Sequence, residues 1–149
     1  FTEKYYTNSL VFVTAKEGGV ADDVTPDGLA GKTLGAQSST VSAQFLEDNY
    51  RDATVRLYPT QEEAYRDLAS GRLDAVLADF GVTHDWLGSE DGACCDFVGE
   101  AVLSNDEIAI AVRQDEPELL EAFNKAIAAI RENGTYDEIN KKYFPFSVY

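Results

Sequence analysis

Three consecutive hydroxyl residues, Ser38, Ser39 and Thr40, followed by Val41 and Ser42, form the stretch of this chain best suited to hold an anion. They sit inside GKTLGAQSSTVSAQ, residues 31–44. An apolar strand pattern at 33–36 runs into them, and a helical pattern carrying Phe45, Leu46 and Tyr50 leaves them. The first N–H groups of a helix have no internal partner, and the helix dipole adds partial positive charge there. Small residues let a ligand come close to that backbone. The plainer reading is that Thr40 or Ser39 only N-caps a surface helix. The second chemical group is Asp79, which follows the continuous apolar run 75–78. Such a run suits a strand buried on both faces of a parallel sheet. In α/β folds ligands bind beyond the carboxyl ends of the strands. A hydroxyl turn and a carboxylate on one such rim would suit a zwitterion.

The elements needed to position these groups can be read along the chain. Residues 9–15 (SLVFVTA) are β-rich, and residues 17–27 form a Gly/Asp/Pro loop with a turn at Thr25-Pro26-Asp27. Residues 54–58 alternate, with Val55 and Leu57 on one face, as a strand does. Thr60 and Glu63 have capping-box spacing, opening a helix through Ala64 and Leu68 that stops at Ser70-Gly71. Residues 82–87 read as a helix, 97–102 as a short strand, and Ile108, Ile110 and Val112 as a separate alternating strand. Pro117 opens a long helix through Leu120, Phe123, Ile127 and Ile130, closed by Asn133-Gly134. Thr135 and Glu138 predict a second capping box for a last helix carrying Ile139 and Tyr143. Strands alternating with helices define the α/β class.

Composition narrows the partners. The 149 residues are 44% hydrophobic, enough for a folded core. Twelve basic residues against 27 acidic ones give a net charge of -15. That field repels phosphate backbones and anionic lipid, so neither nucleic acid nor a membrane surface is an expected partner. No apolar run approaches the roughly 20 residues that span a bilayer. The chain opens on FTEKYY without a signal-peptide pattern, so any export signal is expected upstream or already removed. Cys94 and Cys95 are adjacent, and a bridge between them would be strained, so two free or buried thiols are expected. With one His and adjacent cysteines, no metal site is expected, and nothing calls for a cofactor.

Five motifs then occur in order: FTEKYY at the start, Gly31-Lys32, GAQSST at 35–40, GRLDA at 71–75 with Asp79, and NGTYD at 133–137 followed by Lys142-Tyr143-Phe144. Together they resemble the polar amino-acid solute-binding proteins of bacterial ABC importers, in the lysine/arginine/ornithine and opine branch, along essentially the whole chain. The resemblance implies a type II periplasmic-binding-protein fold, one complete α/β lobe with the C-terminal part of the other. By that likeness residues 8–108 are the inserted lobe, and 1–7 with 109–149 are the closing part of the first lobe. The remainder of the first lobe is expected upstream. It would supply an aromatic clamp, an arginine for the α-carboxylate and most specificity contacts. The implied partners are an amino acid of the lysine, arginine, ornithine or opine kind and an inner-membrane ABC permease, in the periplasm.

Carried over residue by residue, the resemblance puts Thr40 and the Val41 N–H on the ligand carboxylate and Asp79 on its α-ammonium. Gln37 matches a position lining the side-chain pocket, with Ser42 peripheral to it. The family often has Gly where Ser39 stands and Thr where Val41 stands, so the hydroxyl contact at 41 is absent here. Half a site is expected to bind free amino acids weakly or not at all. The stripe Leu120, Phe123, Ile127 and Ile130, without the rest of the first lobe, could pair between chains as a dimer. Two other classes share the fold by resemblance. One is a dehydratase of the prephenate or arogenate type, but there is no G-x-S-x-G elbow, and His84 in its HDW stretch has no nucleophile partner. The other is a sensory ligand-binding module, against which the FPFSVY terminus counts.

Overall fold

The computed structural model describes residues 1–149. The chain divides into two compact units, Ser9–Ser104 and Phe1–Asn8 with Asn105–Tyr149. Five strands and five helices follow one another, alternating from β2 to α4: β1 Tyr6–Ala15, β2 Thr33–Gln37, α1 Val41–Asn49, β3 Thr54–Tyr58, α2 Gln61–Ala69, β4 Ala75–Asp79, α3 Phe80–Leu87, β5 Cys95–Ile108, α4 Pro117–Glu132 and α5 Thr135–Tyr143. The sheet order is β3-β2-β4-β1-β5.

The centre of this sheet is what places the site. β2 lies parallel to β3 on one side, pairing Thr33 with Thr54 through Gln37 with Tyr58. On its other side it lies parallel to β4, pairing Leu34 with Ala75 and Gly35 with Val76. β1 runs antiparallel to β4, with Leu10 opposite Asp79 and Val13 opposite Val76. The sheet is therefore mixed, not all parallel. β4 reads Ala-Val-Leu-Ala before its Asp because all four side chains are buried, half toward each layer. One layer packs Leu10, Phe12, Leu34, Leu46, Tyr50 and Leu77 under α1. The other packs Val13, Ala64, Tyr65, Leu68, Val76 and Ala78 under α2. Period-two alternation along β1 and β4 thus feeds two hydrophobic layers from one strand. β3, at the sheet edge, leaves Leu57 41% exposed, so the Val55–Leu57 face is only partly covered.

The helix signals at 60 and 71 are realised. Thr60 Oγ1 accepts from Glu63 N and Glu63 Oε2 accepts from Thr60 N, both at 3.3 Å. Gly71 takes a left-handed φ of 77° just past the Ser70 cap. Two expectations fail. The strands expected at 97–102 and around 108–112 are one strand, β5, which ends at Ile108 and leaves Ile110 and Val112 outside. It continues through polar residues and past Gly99 and Asn105, which take left-handed φ values of 66° and 68°. The second capping box is also absent. Gly134, at φ 84°, is the N-cap of α5, and Asn133 Oδ1 accepts from Thr135 N at 3.0 Å. The tight Asn-Gly turn starts the helix one residue early, which puts Thr135 inside the first turn.

In the unit built from both ends of the chain, backbone bonds run from Thr2 N to Ile110 O at 2.9 Å and from Tyr5 N to Ile108 O at 3.0 Å. The Tyr149 ring lies under the Arg131 guanidinium at 3.0 Å, with Lys4 Nζ 4.8 Å from its centroid. On α4, Ile127 is buried and Leu120, Phe123 and Ile130 are half-buried, while Leu119 is exposed.

A net charge of -15 on 149 residues works against compaction. Raising salt from about 0.1 M to 1 M shortens the screening length from roughly 10 Å to 3 Å. The expected outcome is a Tm that climbs by several degrees with sodium chloride over that range, followed by circular dichroism. A flat or falling Tm would show that the acidic residues do not strain the folded state.

Candidate functional site

The site builds from the carboxyl ends of β2 and β4. Because these strands are parallel neighbours, Gln37 and Asp79 end them on the same edge of the sheet, in adjacent strands roughly 4.8 Å apart. Beyond Gln37 the chain turns. Ser38 N still donates to Tyr58 O at 2.8 Å, holding the turn against β3. Ser39 then takes φ 59°, one of two non-glycine residues in the left-handed region. That residue reverses the chain so that α1 can begin at Val41. A side chain there costs about 1 kcal/mol relative to glycine. Ser39→Gly is therefore expected to raise the unfolding free energy by roughly 0.5–1 kcal/mol in urea titration. A neutral or destabilising result would mean that the serine side chain contributes something in the turn.

Thr40 is the N-cap of α1, as the plainer reading has it. Its hydroxyl accepts from Ala43 N at 3.2 Å and donates to Gln37 O at 2.7 Å. The single hydroxyl hydrogen is thereby committed to the protein, and the side chain locks the turn. What the helix leaves without internal partners are the N–H groups of Val41 and Ser42, its first two residues. The Val41 side chain is exposed, and Ser42 is only 4% exposed beneath it. Gln37 is half-buried and Ser39 exposed at the same turn. Five of the six candidate residues thus occupy one turn and the helix start behind it, with Asp79 at the neighbouring strand end.

Asp79 is exposed and extended, at φ -64° and ψ 135°, as the N-cap residue of α3. Its carboxylate does not cap that helix. The helix is anchored another way, through a buried hydroxyl: Thr83 Oγ1 donates to Asp79 O at 2.8 Å. Thr83 is fully buried, and its Oγ1 lies 2.9 Å from the Tyr65 hydroxyl. Neither residue stands out in the sequence. The available signal was the spacing from Asp79 to Thr83, four residues, which puts a hydroxyl under the preceding carbonyl in a helix.

Phe80, the first residue of α3, stacks on Phe97 at 5.0 Å. His84 is half-buried, 6.1 Å from the Phe80 ring and with Nδ1 3.6 Å from Asp85 Oδ1, a packing and surface role. Cys94 is an exposed free thiol and Cys95 a buried one. Burial, with Cys94 beside it, pushes the Cys95 thiol up to about 12, so it stays protonated and unreactive at neutral pH. No group of three His, Cys, Asp or Glu side chains converges to hold a metal.

This mixed α/β sheet flanked by helices is the fold of the type II periplasmic-binding-protein class. The chain belongs to the bacterial extracellular solute-binding proteins, family 3, whose model matches residues 1–146. It is similar to the L-arginine-binding protein of Pseudomonas aeruginosa, 39% identical across all of this chain and 60% of that protein. It is also similar to the lysine/arginine/ornithine-binding periplasmic protein of Escherichia coli, 35% identical across all of this chain and 59% of that one. Among solved structures, an ancestral arginine-binding protein bound to arginine superposes with a TM-score of 0.85 at 32% identity, covering 97% of this chain and 63% of that chain. The chain spans about three fifths of the length of the curated relatives it matches.

Proposed function

We propose that this chain is the greater part of an amino-acid receptor of an ABC importer, binding a polar or cationic L-amino acid without chemistry. On this reading residues 8–108 are one complete lobe, and 1–7 with 109–149 are part of the other. The receptor works in the periplasm and hands its ligand to an inner-membrane permease. The ligand's α-carboxylate sits on the N–H groups of Val41 and Ser42 at the start of α1. Thr40 holds that turn in shape, and Ser39 reverses the chain into it. Asp79 takes the α-ammonium, and Gln37 borders the side chain.

One observation supports the reading: β2 and β4 are parallel neighbours, so the start of α1 and Asp79 both lie beyond the carboxyl ends of adjacent strands, and their signs suit the two poles of a zwitterion. The acidic excess adds a second, longer-range term. Most of it lies in residues 9–104, where it draws in a cationic ligand such as arginine and lysine and slows an anionic one. The relatives' names, arginine-binding and lysine/arginine/ornithine-binding, point to the same ligand class.

Thermal unfolding of this chain with 20 mM L-arginine, L-lysine or L-glutamate tests the reading. At roughly ten times its Kd a ligand stabilises by about 1.4 kcal/mol, a shift of several degrees. Arginine and lysine are expected to raise Tm, and glutamate to leave it unchanged. Equal shifts with all three, or a larger shift with glutamate, would count against an amino-acid site with this polarity.

A further inference from the structure

We propose that Tyr65 and Thr83 are positioning residues for Asp79, forming a buried hydroxyl relay from α2 that fixes the carboxylate's place on the rim. The inference rests on the receptor reading for what Asp79 binds, but its geometry stands by itself. The Thr83 hydroxyl donates to the Asp79 carbonyl at 2.8 Å. A threonine has one hydroxyl hydrogen, so in the 2.9 Å contact between Thr83 and Tyr65 the phenol is the donor and Thr83 the acceptor. The relay therefore has a direction: Tyr65 O–H to Thr83, and Thr83 O–H to Asp79.

Both hydroxyl residues are sealed from water, Thr83 at 0% and Tyr65 at 3% exposure. Tyr65 is held in turn by Trp86, its ring stacked face to face at 4.1 Å and 8° between planes. Burial, first among the causes, pushes the Tyr65 phenol up to about 12, so it keeps its proton at neutral pH. Asp79 stands where β4 ends and α3 begins, and its own side chain makes no capping bond there. Its backbone pairs with Leu10 of β1 at the end of the ladder, and the relay adds a second hold at the carbonyl, one bond from the Cα that carries the carboxylate. A carboxylate whose backbone is fixed loses less freedom on meeting an ammonium than one that swings.

The relay predicts that its loss weakens recognition of the ammonium and of nothing else on the ligand. The test compares Kd values for L-arginine and for its des-amino analogue, from NMR shift titrations of the wild-type chain, Thr83→Val, Thr83→Ser and Tyr65→Phe. The wild type is expected to prefer arginine by about tenfold. Thr83→Val and Tyr65→Phe should bring that ratio close to one, and Thr83→Ser, which keeps the hydroxyl, should restore it. A ratio unchanged in Thr83→Val and Tyr65→Phe would overturn the proposal. A purely structural role would weaken both ligands together, with the ratio kept, and would overturn it equally. The unliganded chains supply a second readout. The Asp79 Cα and carbonyl shifts should move in Thr83→Val and Tyr65→Phe and stay in Thr83→Ser. If wild type binds neither ligand, the receptor reading falls, and these shifts alone decide the relay: movement supports it, and unmoved shifts overturn it. Should Thr83→Val fail to fold, Tyr65→Phe, which removes only an oxygen, carries the same comparison.

Discussion

On the receptor reading, Asp79→Asn is expected to lower the affinity of this chain for L-arginine by about ten- to a hundredfold while leaving its unfolding midpoint within a degree or two. The size follows from what is lost: a charge-assisted hydrogen bond between carboxylate and ammonium is worth roughly 1.5–3 kcal/mol, and each 1.4 kcal/mol is a factor of ten. The near-constant stability follows from the structure. Asp79 is exposed, and its side chain does not cap α3. The fixing bond uses its backbone carbonyl, which asparagine retains. Isothermal titration or NMR titration measures the first effect and thermal unfolding the second. Unchanged affinity would remove Asp79 from the site. A large loss of stability would give it a structural role.

Phe12→Ala is expected to destabilise the chain by about 3–5 kcal/mol, the range found for emptying a buried aromatic site. Phe12 is fully buried on β1, pairs across the sheet with Leu77 of β4, and meets the Tyr50 ring edge-on at 5.4 Å. Tyr50 in turn donates to Val24 O at 2.7 Å, tying the long loop after β1 to α1. The cavity would therefore loosen a sheet strand, a helix end and a loop together, and collapse into it is obstructed on each side. Urea unfolding checks this. A loss below about 1 kcal/mol would mean that the layer under α1 repacks freely, and the rigid seat for the turn at 38–40 would go with it.

Much of this arrangement is legible in the sequence, for identifiable reasons. Thr40 announces an N-cap because a hydroxyl stands just before a helical apolar pattern, and its bond to Ala43 N is there. The run 75–78 announces a central strand because only burial on both faces tolerates four apolar residues in a row. Thr60 and Glu63 announce their own reciprocal bonds. The hydroxyl turn and Asp79 stand at strand ends, where local patterns reach them, whereas Gln37 and Ser42 enter as candidates through the family resemblance.

What local patterns miss is set by pairing and by special φ values. The antiparallel β1 is indistinguishable from a parallel neighbour in composition, since both are buried on two faces. Strand β5 runs on past left-handed Gly99 and Asn105, residues whose types read as breaks between strands. At Thr135 the box spacing is present, but Asn133-Gly134 takes the cap first. The second task of the Thr40 hydroxyl, its bond to Gln37 O, shifts the candidate carboxylate contact from side chain to backbone N–H, and spacing alone does not reveal it. The Tyr65–Thr83 relay joins residues 18 apart across two elements, and only the packed structure brings them together.

The central claim is that the start of α1 and Asp79 take the two poles of an amino acid. Amide NMR of the isotopically labelled chain during titration with L-arginine tests it most directly. The account predicts saturable shifts, with one Kd in the millimolar range, concentrated at Thr40, Val41, Ser42 and Asp79. No saturable shift up to about 50 mM, or saturable shifts confined to residues elsewhere, would contradict it.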